Sequence, residues 1–225
     1  MAGSAGRQNE RRTRAISRRL VEMHPPARKV RRDPLDELVL TILSQNTSDA
    51  NCYRGWSALR ARYPEWPSVL AAPDGELEET IRPAGLAKQK AGTIRRVLSR
   101  LRDEHGEPSL EHVRAMDDRQ ALDYLTRFPG VGVKTAACVL CFSLGRDVIP
   151  VDTHVHRLAI RLQLVPERAS AAQTHEILNR EVPPGLRYGL HVSLVAHGRR
   201  ICGARRPRCG GCVLDDLCPR VGVDG

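Results

Sequence analysis

Apolar residues return every three or four positions along most of this chain, and no stretch alternates apolar and polar side chains convincingly for the length of a strand. The pattern predicts an all-α protein. Asp33-Pro34 supplies an N-cap and a proline for the first helical position ahead of LDELVLTIL. Asp117-x-x-Gln120 and Ser170-x-x-Gln173 have the form of capping boxes before apolar-periodic runs. Near the N-terminus, AISRRLVEM is amphipathic. Prolines and glycines at Pro64/Pro67, Pro83–Gly85, Pro108, Gly145–Pro150 and Pro183–Gly185 cut the remainder into short helices. There is no internal repeat, and 225 residues suffice for one good core or two modest lobes.

Two of these helical runs meet at an unusual turn. DDRQALDYLTRF ends at Pro129, and the next run is expected from about Val133 to Leu144. Gly130 and Gly132 flank Val131, which permits a tight reversal through conformations that other residues resist. The amides of the reversal and of the following helix start then face outward together, suited to a phosphate oxygen. A G-x-G alone is an ordinary helix–helix turn. Between two helical runs, with apolar Leu125, Phe128 and Val131 around it, it resembles the helix-hairpin-helix motif of sequence-independent DNA binders.

Lys134 falls in the first turn after the reversal, where a phosphate contact or a solvated side chain is the plain reading. Asp152, in IPVDTHVHRL, has the plain reading of a helix N-cap. Chain length permits more. A helix of about 12 residues carries the chain ~18 Å from Lys134, and residues 145–151 can span at most about 23–25 Å, enough to return Asp152 beside it. A lysine and a carboxylate converging at a DNA-gripping turn would be a nucleophile and its partner. The amine must shed its proton to attack a sugar carbon, which a positive helix N-terminus and desolvation both favour.

Charge narrows the partner. The formal net charge is +10, and residues 1–32 hold ten basic side chains against Glu10 and Glu22. That excess calls for a polyanion, or else marks a solvated tail. Only eight residues are aromatic, few for a protein that stacks single-stranded bases, so duplex contact through phosphates fits better. No apolar run approaches the ~20 residues of a membrane span, and no secretory signal is read, so a cytoplasmic, nucleoid-associated location is expected.

Of seven cysteines, Cys202, Cys209, Cys212 and Cys218 form a C-x6-C-x2-C-x5-C frame within the last 24 residues. This has the appearance of a metal-ligand set, and spacing alone leaves both structural zinc and an iron–sulfur cluster open. Cys138 and Cys141 share one face of an apolar helix and, with Cys52, are expected in the core. His154, His156, His191 and His197 show no helical spacing with carboxylates and are read as structural or DNA-facing, with His154 lining the cleft.

LTRFPGVGVKTAACVL, then VDTHVHRL, then HVSLVAHGRRICGARRPRCGGCVLDDLC stand in the order and spacing of the endonuclease III family of helix-hairpin-helix DNA glycosylases, which the chain resembles from about Asp33 to Cys218. The resemblance implies a six-helix barrel over 33–146 and a second lobe from 1–32 with 147–225, the latter holding one [4Fe–4S] cluster on the four frame cysteines. It implies a monomer that acts on duplex DNA containing a damaged base or abasic site and does not bind membranes. An oxidised pyrimidine is flipped out, Lys134 attacks C1′, Asp152 assists, and β-elimination nicks the strand. Gly130, Val131 and Gly132 would hold phosphate. Leu86 in PAGLAKQKA matches the residue that wedges into the duplex. The family's gap-filling glutamine falls at Asn46 rather than Gln45, which leaves the filler unassigned. Arg205, Arg206 and Arg208 match a phosphate-contacting loop. Two rivals stand beside this reading: a monofunctional adenine or thymine mismatch glycosylase, whose relatives usually lack lysine at position 134, and a non-catalytic DNA-binding paralogue.

Overall fold

The computed structural model describes residues 4–27 and 31–223, so Arg28 and Lys29 of the basic N-terminal run lie outside the described residues. Among those residues there are eleven α-helices and no strand, as the periodicity requires. They are α1 (Ser4–Met23), α2 (Pro34–Ser44), α3 (Asp49–Arg62), α4 (Trp66–Ala71), α5 (Glu76–Thr80), α6 (Ala87–His105), α7 (Asp118–Thr126), α8 (Val133–Cys138), α9 (Thr153–Arg161), α10 (Ala171–Glu181) and α11 (Arg187–Arg200). The chain divides into two compact units, Val30–Gly145 and the combination of Met1–Lys29 with Arg146–Gly225.

The Val30–Gly145 unit is organised on α2. Asp33 caps it by accepting from Leu35 N (2.8 Å) and Asp36 N (3.2 Å), with Pro34 in the first turn. Nine of its eleven residues are buried, because LDELVLTIL is apolar on nearly every side and α3, α6 and α8 all pack on it. Leu38 and Leu43 are fully buried, as are Leu59 on α3, Ile94 and Leu98 on α6 and Leu125 on α7. Each such side chain contributes roughly 1.5–3 kcal/mol on leaving water. Cys52, Cys138 and Cys141 are buried in this unit, as expected of small apolar side chains. The single α-helix expected from Val133 to Leu144 is not formed. After Cys138 the chain widens into a π turn over Val139–Ser143, where Leu144 N bonds Val139 O (3.1 Å), five residues back.

The other unit buries one face of α1. Thr13, Ile16, Ser17 and Leu20 recur at helical spacing, and α1 packs on α11, which packs on α9. The solvated-tail reading of the basic start does not hold for this helix. Arg12 donates to Leu162 O and Leu217 O, and Arg19 pairs with Asp216 while donating to Val213 O, so both fasten α1 to the C-terminal segment. Leu214 and the partly buried Cys202, Cys212 and Cys218 complete the same core. Both capping boxes form: Gln120 N donates to Asp117 Oδ1 (2.8 Å) in the first unit, and Gln173 N to Ser170 Oγ (3.2 Å) in this one.

Candidate functional site

In the Val30–Gly145 unit, the hairpin is anchored by its apolar residues. Leu125, Phe128 and Val131 are buried, and Val131 N closes the turn on Phe128 O (3.0 Å). Ala136 and Ala137 are fully buried, so α7 and α8 pack through small side chains. The two glycines turn out to serve different ends. Gly130 has φ +86°, and a Cβ there would lie 2.9 Å from Thr93 Cγ2. Gly132 has φ −90° and ψ 175°, extended backbone open to any residue, and a Cβ there would meet nothing. Its service is at the N-cap: without a capping side chain, the amides of Val133, Lys134 and Thr135 start α8 before its first bond, Ala136 N to Gly132 O (3.0 Å). Lys134 is half-buried in that first turn.

Two more turns of this unit carry residues singled out in the sequence. Gln45 caps the C-terminus of α2 and points its amide at the hairpin, with Nε2 3.5 Å from Gly130 O and 3.4 Å from Thr135 Oγ1. Asn46 beside it is exposed and left-handed, φ +51°. The two neighbours therefore have different surroundings: Gln45 faces the hairpin, and Asn46 is exposed. Leu86 is left-handed as well (φ +49°, ψ +38°) and 51% exposed, an unusual state for a branched apolar residue.

In the second unit, Asp152 fills the role of N-cap, its Oδ1 accepting from Val155 N (2.8 Å) at the start of α9. The four frame cysteines line one cavity of about 30 Å³, together with Arg161, Ile201 and Pro207. Burial pushes the Cys212 and Cys218 thiols up, and the charges of neighbouring frame cysteines push the same way, while the Arg220 charge pulls Cys218 back. Arg161 donates to Cys202 Sγ (3.2 Å) and to Gly203 O and Ala204 O, holding the first ligand-bearing loop. Among the described residues no three His, Cys, Asp or Glu side chains converge as they stand on a single metal ion. None of the seven cysteines forms a disulfide. Arg205, Arg206 and Arg208 are exposed on the loop between Cys202 and Cys209.

Sequence reading left the partners of the four histidines open and missed Glu37 and Lys90. His197 is buried, its Nε2 3.3 Å from Cys212 Sγ and its Nδ1 3.1 Å from His24 Nε2; burial and then His24 push its pKa down to about 4. His191, also buried, bonds Pro150 O, and His156 bonds Ala169 O, so these are structural. His154 Nδ1 lies 3.1 Å from Arg157 Nη2. Glu37 on α2 is a buried carboxyl raised by desolvation, with Arg32 and Lys134 pulling the other way. Nothing in LDELVLTIL distinguishes that glutamate from a solvated one. Lys90, buried on α6, was equally silent.

Described residues without a strand, a helix–turn–helix through FPGVG and a terminal four-cysteine frame together define a narrow class of protein. The chain belongs to the HhH-GPD superfamily of base excision DNA repair proteins, whose family model matches residues 39–184. It is 33% identical to endonuclease III of Thermotoga maritima over 90% of each chain. It is 40% identical to an Arabidopsis thaliana protein named as a DNA glycosylase, over 84% of this chain and 65% of that one, so it spans just under two thirds of the plant protein. A non-covalent endonuclease III–DNA complex superimposes with a TM-score of 0.81 at 29% identity, covering 94% of this chain and 95% of that one.

Proposed function

We propose that this protein is a bifunctional DNA glycosylase and abasic-site lyase that removes oxidised pyrimidines from duplex DNA and nicks the strand by β-elimination. The observation that carries the reading is Lys134 in the first turn of α8, beside a cap with no side chain. Phosphate held by the hairpin amides sets the backbone of the damaged strand against that turn. Lys134 Nζ attacks C1′ as the base leaves, forming a Schiff base, and loss of a 2′ proton then expels the 3′ phosphate. Asp152 is the carboxylate assigned to assist the amine and to balance positive charge developing on the sugar. Leu86 takes the wedge position, and its left-handed backbone supports this, since strain on an exposed apolar side chain needs a use. Asn46 fills the space left by the extruded base, because Gln45 is already directed at Gly130 and Thr135.

The cysteine cavity is assigned one [4Fe–4S] cluster on Cys202, Cys209, Cys212 and Cys218. An all-sulfur donor set of four partly buried thiols lining one cavity fits such a group. When bound, it supplies a rigid cross-link for the C-terminal loop. Arg205, Arg206 and Arg208 on that loop then contact phosphates, while bond breaking stays with Lys134.

Incubation with a thymine-glycol or abasic-site duplex and borohydride tests the reading. A covalent complex that disappears in Lys134→Ala is the expected result, and trapping that survives that substitution moves the nucleophile elsewhere. Absence of both trapping and nicking by cluster-loaded protein would favour a monofunctional or purely binding role. Purified protein should be brown with iron and sulfide; colourless protein with one zinc overturns the cluster.

A further inference from the structure

Two carbonyls in the Val30–Gly145 unit are satisfied in an unusual way. Leu43 O belongs to the last turn of α2, where helical carbonyls lose their partners. Ala84 O belongs to the 3₁₀ turn Arg82–Ala84, just before α6. Lys90 Nζ donates to both, at 2.7 Å and 2.8 Å, from a side chain only 2% exposed. Each carbonyl stands just before a residue assigned to the DNA: Leu43 is three residues before Asn46, and Ala84 two before Leu86.

We propose that Lys90 is a positioning residue whose buried ammonium clamps the Gln45–Asn46 turn to the Leu86 turn, fixing the wedge and the gap-filler relative to each other before DNA arrives. The inference rests on the roles proposed above for Leu86 and Asn46. Three observations carry it beyond an ordinary buried lysine. Both turns hold a non-glycine residue in left-handed backbone, Asn46 (φ +51°) and Leu86 (φ +49°), which bracing sustains. The Leu86 turn is also braced from its other side, since a Cβ on Gly55 of α3 would lie 2.9 Å from Ala84 Cβ, leaving the turn no room to retreat. Finally, among the described residues no carboxylate pairs with Lys90, and burial lowers its pKa; the charge is kept in the interior to hold two carbonyls. A neutral side chain with one donor would join only one of the two turns.

The test is Lys90→Met in the full chain, which keeps the shape and removes the donors. Borohydride trapping is measured on an abasic duplex and on the same abasic strand alone, where there is no helix to open. The expected result is a loss of about tenfold or more on the duplex, the scale of a misplaced positioning group, with single-strand trapping within about twofold of the unsubstituted protein. Leu86→Ala should show the same split, and the double variant should lose no more than either single one, because both act on one step. 2-Aminopurine placed opposite the abasic site should brighten on binding the unsubstituted protein and stay dim with Lys90→Met. Duplex trapping within twofold of the unsubstituted protein, or equal losses on both substrates, overturns the clamp. If Lys90→Met does not fold by circular dichroism, Lys90→Gln, whose neutral amide stands one atom short of the lysine Nζ, is read by the same two substrates. Failure of the lyase reading itself looks different: the unsubstituted protein would then trap neither strand.

Discussion

At Leu86 a branched apolar side chain stands half out of the protein on left-handed backbone. Glycine would adopt that conformation without strain, so Leu86→Gly should raise thermal stability by up to about 1 kcal/mol, after allowing for the freer unfolded chain. The same change should lower duplex cleavage. A melting curve and a nicking assay on one preparation check both signs; parallel losses would mean that the strain has no function. The hairpin glycines separate just as cleanly. Gly130→Ala must bend a φ of +86° and displace Thr93, so it should cost about 1–3 kcal/mol. Gly132→Ala enters open space on extended backbone and should stay within about 0.5 kcal/mol in thermal melts. FPGVG was legible as a turn because its signal is local. Which glycine the backbone needs was not, because that depends on Thr93, distant in sequence, packing beneath the turn.

Among whole elements, the ones read correctly carry their causes within four or five residues. Asp33-Pro34 and the two capping boxes declare helix starts in their own side chains. The anchoring of α1 by Arg12 and Arg19 and the placement of Lys90 depend on partners far along the chain, so periodicity could not supply them. One such meeting of elements sets a pH dependence. His112, in the 3₁₀ turn Glu111–Ala115, stacks at 4.0 Å on His105 of α6 and edge-on at 4.9 Å against Tyr124 of α7. Its Nε2 is buried with no partner, and burial, followed by the charge of His105, lowers its pKa. The unfolded chain therefore takes up this proton first. Stability due to a neutral His112 is complete above the ordinary histidine value of 6.5 and falls as the pH drops below it toward the lowered folded value. His112→Phe keeps a ring in the stack and removes the proton site. Its melting temperature should accordingly drop less than that of the unsubstituted protein between pH 7.5 and pH 5; matching slopes would clear His112 of the effect.

For the molecule as a whole, the +10 charge is the quantity DNA binding should report, but formal charge overstates what is available to phosphates. On α1, Arg12 and Arg19 are committed to the C-terminal segment, and Arg14 pairs with Glu10 at 2.8 Å. Two residues of the basic N-terminal run thus serve as a fastening. Arg205, Arg206 and Arg208 are different: all three are exposed, and among the described residues no carboxylate pairs with them. Each arginine that meets a phosphate releases counterions and adds about 0.9 to the slope of log affinity against log salt. Replacing all three with serine should flatten that slope by up to about 2.7 and weaken binding most at low salt. Replacing Arg14 should leave it nearly unchanged, because its charge is already balanced by Glu10. Fluorescence anisotropy across 50–300 mM salt separates these outcomes. A slope that follows Arg14 instead would return α1 to the DNA and make the loop between the first two frame cysteines a bystander.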